Sequence, residues 1–523
     1  MDYSTGKIAF IFLAALVLAW AGARWLAWRY RAEMKALMSA PSAPSALPVS
    51  APAPAAPVAS STPPGATPGA YRVTLAANVR AGWRVTLLLI GLSVPLALSS
   101  AALTLVLVSG ESMFSVKRMA VLALVNLWPA IPAIGLLWRW SPWRVLAVLL
   151  GWSAFCVVVT LLRQIEPRPA EALLYVAIEV GPTMALVAVL SAGSVSRAAA
   201  PWLLPPLIGL VWASVAGIDV LWSLVERRSP LLAMFPSSWV PHGVMALFAV
   251  LPWLLAWWPL RWLGRALGRA YARKRLSELM VLFTAVWALV LLVQALSSAS
   301  DVGLAGALML LPLLWIPLVM AVVRRFAPHA GRPPTLLVLR VFQHDAQIQA
   351  LFDHVIERWR LTGNTVLIAG TDLLDRTLDA EDIFTFLDGR LAQRFIGQPA
   401  DVAPRLAAFD DAPDADGRYR VNECYCHDTT WQQALAALEQ RSDVVLMDLR
   451  GFQAHNAGCI HELRTLAGAQ LLARVVVLVD AQTDRGSAEA AAAGAPSGRF
   501  SWLDAATIDA AKRNEVLRSL FAR

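Results

Sequence analysis

Nine apolar runs occupy most of the first 325 residues: Ile8 to Ala23, Val85 to Gly110, Met119 to Trp138, Val145 to Leu162, Ala172 to Ala192, Trp202 to Val225, Val240 to Leu260, Leu279 to Ser298 and Val302 to Val323. Most lie close to the roughly 20 residues with which a helix crosses a bilayer. Such a series leaves a multi-pass helical bundle in lipid as the fold of this region, because only spanning helices or closed barrels satisfy their own backbone inside hydrocarbon. Composition agrees, since 58% of the chain is hydrophobic and 15% charged, well below the roughly 25% charged residues of soluble domains.

Charge sets the expected orientation. With the amino terminus outside, the inner flanks of the nine runs hold 18 Lys and Arg and the outer flanks 7. Positive residues favour the inner side, so the carboxyl-terminal tail is expected in the cytoplasm beneath a cell membrane. Arg24, Arg29, Arg31 and Lys35 follow the first run rather than precede it, the pattern of a retained anchor rather than a cleaved signal peptide. The formal charge of +9 follows these flanks and forms no basic stripe, so a nucleic-acid partner is not expected. Ser39 to Gly69, rich in Pro, Ala and Ser, lacks an apolar face and reads as a disordered linker. The expected divisions are a membrane anchor (1–35), a linker (36–83), an eight-helix membrane region (84–325), a spacer (326–334) and an α/β domain (335–523).

Within the spans, Glu179 and Asp219 each lie roughly 10 Å inside the outer boundary at 1.5 Å per residue. Ionisable groups at membrane depth raise a transporter-like alternative, in which the two carboxylates converge on a cation or proton site.

After Pro334 short apolar runs alternate with amphipathic stretches, the pattern of a parallel sheet covered by helices. Strands are expected at Leu336 to Phe342, Val366 to Ala369, Val444 to Leu449 and Val475 to Asp480. Helices are expected at Gln347 to Leu361, Ala380 to Phe395, Trp431 to Arg441, Ala457 to Leu471 and Ala510 to Ala522. Gln398 to Asp416 reads as a loop, Arg418 to Cys424 as an extra strand, and Ser487 to Gly498 as a flexible segment. Ligands bind such sheets beyond the carboxyl ends of the strands, which singles out Arg340, Asp345, Asp448 and Arg450. Cys424, Cys426, His427, Cys459 and His461 would supply soft ligands, but Cys-x-Cys-His is not a standard zinc spacing, and no metal is expected. Four scattered cysteines make no disulfide framework either.

The segment Asp448 to Leu463, DLRGFQAHNAGCIHEL, resembles the stretch of Toll/interleukin-receptor (TIR) domains in which a loop after a strand leads into a helix bearing Trp-Cys-x-x-Glu-Leu. Cys459, Glu462 and Leu463 match that signature, and Gly458 stands in place of the tryptophan. It is similar also to the nucleoside deoxyribosyltransferase group, whose Asp, Asn with a nearby Gly, and helical Glu fall at Asp448, Asn456, Gly458 and Glu462. The resemblance is specific over about 16 residues and implies a flavodoxin-like fold for residues 335–523. It implies cleavage of an N-glycosidic bond in NAD or a nucleoside, with Glu462 catalytic. Here Asp448 would hold ribose, Arg340 or Arg450 phosphate, and the helix start near Asn456 and Gly458 an anion. No resident cofactor is implied, and the nucleotide would be substrate or ligand. The whole chain then reads as a membrane-anchored TIR-like signalling or effector protein, with homo-oligomers through the tail as expected partners. The alternative of another class is a non-enzymatic interaction module, because TIR domains include scaffolding members.

Overall fold

The computed structural model describes residues 3–39, 73–108, 115–162, 170, 194–227, 240–325, 333–340, 351–369, 380–387, 389, 391–427 and 429–521. These form two compact units. Unit 1 comprises residues 1–29, 86–327 and 378–384; unit 2 comprises 30–85, 328–377 and 385–523.

The membrane-type helices are α1 (Tyr3–Ser39), α2 (Leu75–Leu103), α3 (Val116–Val125), α4 (Ala130–Leu137), α5 (Pro142–Leu161), α6 (Ser194–Glu226), α7 (Val240–Ala272), α8 (Glu278–Val302) and α9 (Trp315–Arg325). A π turn, Thr104–Val108, extends α2, and a 3-10 segment, Gly303–Leu314, joins α8 to α9. Among the described residues seven segments are long and apolar enough to cross a membrane, and eight if α3 and α4, bent by 42° at their junction, count as one span. The fifth apolar run, Ala172 to Ala192, lies outside the described residues, as do Glu179 and the segment Ser39 to Gly69 apart from Ser39 itself.

α8 is the centre of unit 1. Ser277 caps it, its hydroxyl accepting from the Met280 N–H at 3.1 Å. Leu289 packs with Ile11, Leu204 and Ile208, while Leu282, Val286 and Val290 pack with Trp128, Val145 and Leu149, so two apolar clusters grip its sides. Large side chains such as Leu254, Leu255, Trp257 and Trp258 on α7 point outward, as lipid-facing residues do. Asp219 is held by Lys7, whose Nζ donates to both carboxylate oxygens at 2.7 Å.

Unit 2 is built on seven parallel strands: β1 (Thr335–Arg340), β2 (Asn364–Ala369), β3 (Phe395–Ile396), β4 (Val421–Cys426), β5 (Val444–Asp448), β6 (Arg474–Val479) and β7 (Phe500–Asp504). Their order is β3-β4-β2-β1-β5-β6-β7. β1 and β5 are buried throughout, which is why they read as unbroken apolar runs. The helices that follow in the chain are α10 (Glu357–Trp359, continuing a π turn at Phe352–Ile356), α11 (Ala380–Leu387, of which Ala380 to Phe384 belong to unit 1), α12 (Val402–Ala407), α13 (Trp431–Arg441), α14 (Ala457–Gly468), α15 (Arg485–Ala492) and α16 (Ala510–Phe521). The unit also includes the end of α1 and the start of α2. Tyr30 and Met34 are buried, and the Asn78 amide donates to the Arg358 carbonyl at 2.6 Å and to the Thr362 hydroxyl at 3.0 Å.

Several local expectations are corrected. The first half of the segment read as flexible, Ser487 to Gly498, belongs to α15: Asp484 caps the helix through the Ser487 N–H at 3.1 Å, and Ala488 and Ala492 bury its inner face. The helix expected to run from Ala380 to Phe395 stops at Leu387. Gly389 takes a left-handed φ of 68°, and the chain turns into the edge strand β3. The loop read at Gln398 to Asp416 holds a 3-10 turn, Pro399–Asp401, that leads into α12, and the Asp401 carboxylate accepts from the Gln398 N–H at 3.1 Å. β7 was unforeseen, because an edge strand paired on one side and half-buried on both faces has no strong period.

Candidate functional site

The chain runs from β1 to β2 on one side of the sheet and returns to β5 on the other side of β1. Crossovers therefore diverge at the carboxyl ends of β1 and β5, the position at which open α/β sheets bind ligands. Arg340 ends β1 and lies in register with Asp448 at the end of β5. Both are buried, each 5% exposed.

Asp448 and Arg450 occupy each other. Arg450 donates through Nε to one Asp448 oxygen at 2.7 Å and through Nη2 to the other at 2.5 Å, and its Nη1 reaches the Ala505 carbonyl at 3.3 Å. A bidentate pair this buried positions the β5 loop and ties it to the end of β7, at the strand ends where the sequence places ribose and phosphate contacts. The next residue, Gly451, has a φ of 72°, and its N–H donates to Asp480 at 3.0 Å. Partial burial works against charge on Asp480, but the N–H groups of Gly451 and Gln482 and the Thr483 hydroxyl outweigh it and hold its carboxyl below the usual range.

Glu462 lies on α14, 7% exposed, with Oε2 making no hydrogen bond to protein. Burial pushes its carboxyl up to about 8, and the Arg340 guanidinium opposes that rise. The charge of Arg340, at the end of β1, thus acts on the buried Glu462 carboxyl group, a role apart from the phosphate contact the sequence suggests for it. Asn456 precedes α14, but its side chain accepts from the Gln453 N–H at 2.7 Å and makes no cap bond to the helix. Gly458 is exposed, and nothing lies within 4 Å of where a Cβ would stand, so no close approach within the fold requires glycine there. Asp345 lies outside the described residues.

Comparison of the chain with protein families, with curated proteins and with solved structures finds no match.

The remaining soft ligands do not gather. Among the described residues no group of three His, Cys, Asp or Glu side chains could hold a metal ion. Burial pushes the Cys424 and Cys459 thiols up to about 12 and raises Cys426 as well, the state of inert core thiols. His461 instead meets Trp431 edge to face, with ring centroids 5.4 Å apart. The strand-end rule points to Asp480 in the sequence, but not to the turn it builds or to the Gln453 amide that donates to the Gln482 carbonyl at 2.7 Å, which together bind the β5 and β6 loops. The Asp at the end of the β6 run was the one available signal.

Proposed function

We propose that this is a membrane-anchored, TIR-like signalling or effector protein whose α/β unit binds a ribose-containing nucleotide at the β1–β5 edge and cleaves its N-glycosidic bond. The strand order β2-β1-β5-β6-β7 supports a flavodoxin-like reading, since it corresponds to 2-1-3-4-5 with β4 and β3 added beyond β2. The observation that carries the proposal is Glu462: a carboxyl group beside Arg340, with one oxygen unbonded, at the switch point. In the reaction the bond between C1′ and the base nitrogen breaks with its electron pair leaving on the base. The ionised Glu462 stabilises or traps the ribosyl cation, and water adds to C1′ and releases a proton. Arg340 would meet the phosphate. Because the free carboxyl group holds its proton up to about pH 8, turnover should rise with pH through that value unless a cationic substrate ionises it first.

The burial of Glu462 favours a second reading, a non-enzymatic interaction module in which this carboxyl group stays protonated inside the fold. Full-length protein in lipid separates the two, and it keeps Tyr30, Met34 and Asn78, which belong to the α/β unit. Incubated with NAD or a nucleoside, the wild type should release free base, and Glu462→Gln should abolish release while retaining much of the nucleotide binding. Absence of both binding and release in the wild type, or full activity in the Gln variant, would overturn the enzymatic reading in favour of the module.

A further inference from the structure

The interior of unit 1 carries a line of uncharged polar groups. On α2, Thr86, Ser93 and Ser100 recur every seven residues on one face, and all three are buried. On α8, Thr284, Trp287 and Gln294 share one stripe, spaced three and seven residues apart. The two lines meet at a closed ring. The Ser100 hydroxyl donates to Gln294 Oε1 at 2.6 Å, the Gln294 amide to Asn126 Oδ1 at 3.4 Å, and the Asn126 amide to the Ser100 hydroxyl at 3.5 Å. Asn126 is the C-cap of α3, at the break before α4, and the π turn follows Ser100 by one turn of α2. A broken span and a π turn at one level are the backbone irregularities that membrane proteins keep where irregular segments are buried in protein or line a polar cavity.

Beyond the ring the stripe is unsatisfied. Trp287 is fully buried, yet its indole N–H makes no hydrogen bond to protein, and neither does the buried Thr284 hydroxyl. At 1.5 Å per residue these two sites lie roughly 10 and 15 Å along α8 from Gln294, about half the thickness of a hydrocarbon core. Buried donors of this kind demand a partner in a membrane, where lipid offers none. We infer that the seam along the polar stripe of α8 is a water site: a file of water molecules bonded to Thr284 and Trp287 and stopped by the Ser100–Asn126–Gln294 ring. The residues named here carry no formal charge, so the seam suits water rather than ions. The inference rests on unit 1 alone and is independent of the proposed nucleotide chemistry.

Radiolytic hydroxyl-radical footprinting tests it in the native protein, held in phosphatidylcholine–phosphatidylglycerol nanodiscs, because radicals made from bound water mark the side chains that touch it. Three tryptophans provide matched reactivity: Trp287 in the seam, Trp128 in an apolar cluster, and the outward-facing Trp257. Trp287 should be modified severalfold faster than either of the others. Modification of Trp287 no faster than that of Trp128 and Trp257 would mean a dry seam and would overturn the inference. In a second arm, Thr284→Cys should react with a methanethiosulfonate reagent severalfold faster than outward-facing Leu255→Cys, since the reactive thiolate forms only in water. Equal, slow reaction of the two would count equally against the water file.

Discussion

The two edges of the α/β sheet treat buried carboxylates in opposite ways. At the amino edge, leading into β4, Asp414 is clamped by Arg420, whose Nε and Nη2 reach it at 2.9 and 2.7 Å. Arg418 pairs with Asp416 at 3.2 Å and lies 3.7 Å from Glu357. At the carboxyl edge Glu462 has Arg340 nearby but leaves an oxygen unbonded. Burial raises both acids, Asp414 to about 6 against the pull of Arg420 and Glu462 to about 8 against that of Arg340. Matched hydrogen bonding identifies the amino edge as structural. A costly carboxyl group left half-satisfied, at the edge where such sheets bind ligands, is the better candidate for function.

Removing the clamp should have the largest effect. Arg420→Ala leaves Asp414 buried without its cation and should destabilise unit 2 by about 3–5 kcal/mol, read by denaturant unfolding of the full-length protein. A loss well under 1 kcal/mol would show that the amino edge is no clamp. Glu462→Gln should act in the other direction, and with pH. The folded carboxyl group keeps its proton to about 8 while the unfolded one loses it near 4.5. Its contribution is therefore fully present below the unfolded value and is lost as pH rises through about 8. At pH 9 the Gln variant should be more stable than wild type by a few kcal/mol, on the order set by about 1.4 kcal/mol per pH unit, and the two should converge near pH 4. Parallel pH profiles would remove the distinction between the edges. The smallest effect belongs to Gly458→Ala, which fills open space on an exposed helical position and should stabilise by about 0.5–1 kcal/mol. If nucleotide binding falls while stability rises, the glycine serves the ligand rather than the fold.

Lipid solvation and burial on both faces impose composition directly, so the membrane class, the parallel character of the tail and the helix Trp431–Arg441 were legible from residue pattern alone. The order of Arg340, Asp448 and Glu462 along strand ends and helix was legible too, because strand termini carry the chemistry of such sheets. Pattern could not say which charges would pair. Asp448 and Arg450 look as available in the sequence as Arg340 and Glu462, yet a two-residue turn folds the first pair onto each other, while the charge of Arg340 acts on Glu462 from 122 residues away in the chain. Short-range periodicity also passed over β7, α15 and the Ser100–Asn126–Gln294 ring, whose stabilising partners are distant in the chain. Local sequence sets which groups want burial or water; only the tertiary fold decides which buried polar group meets a partner and which is left to bind something else.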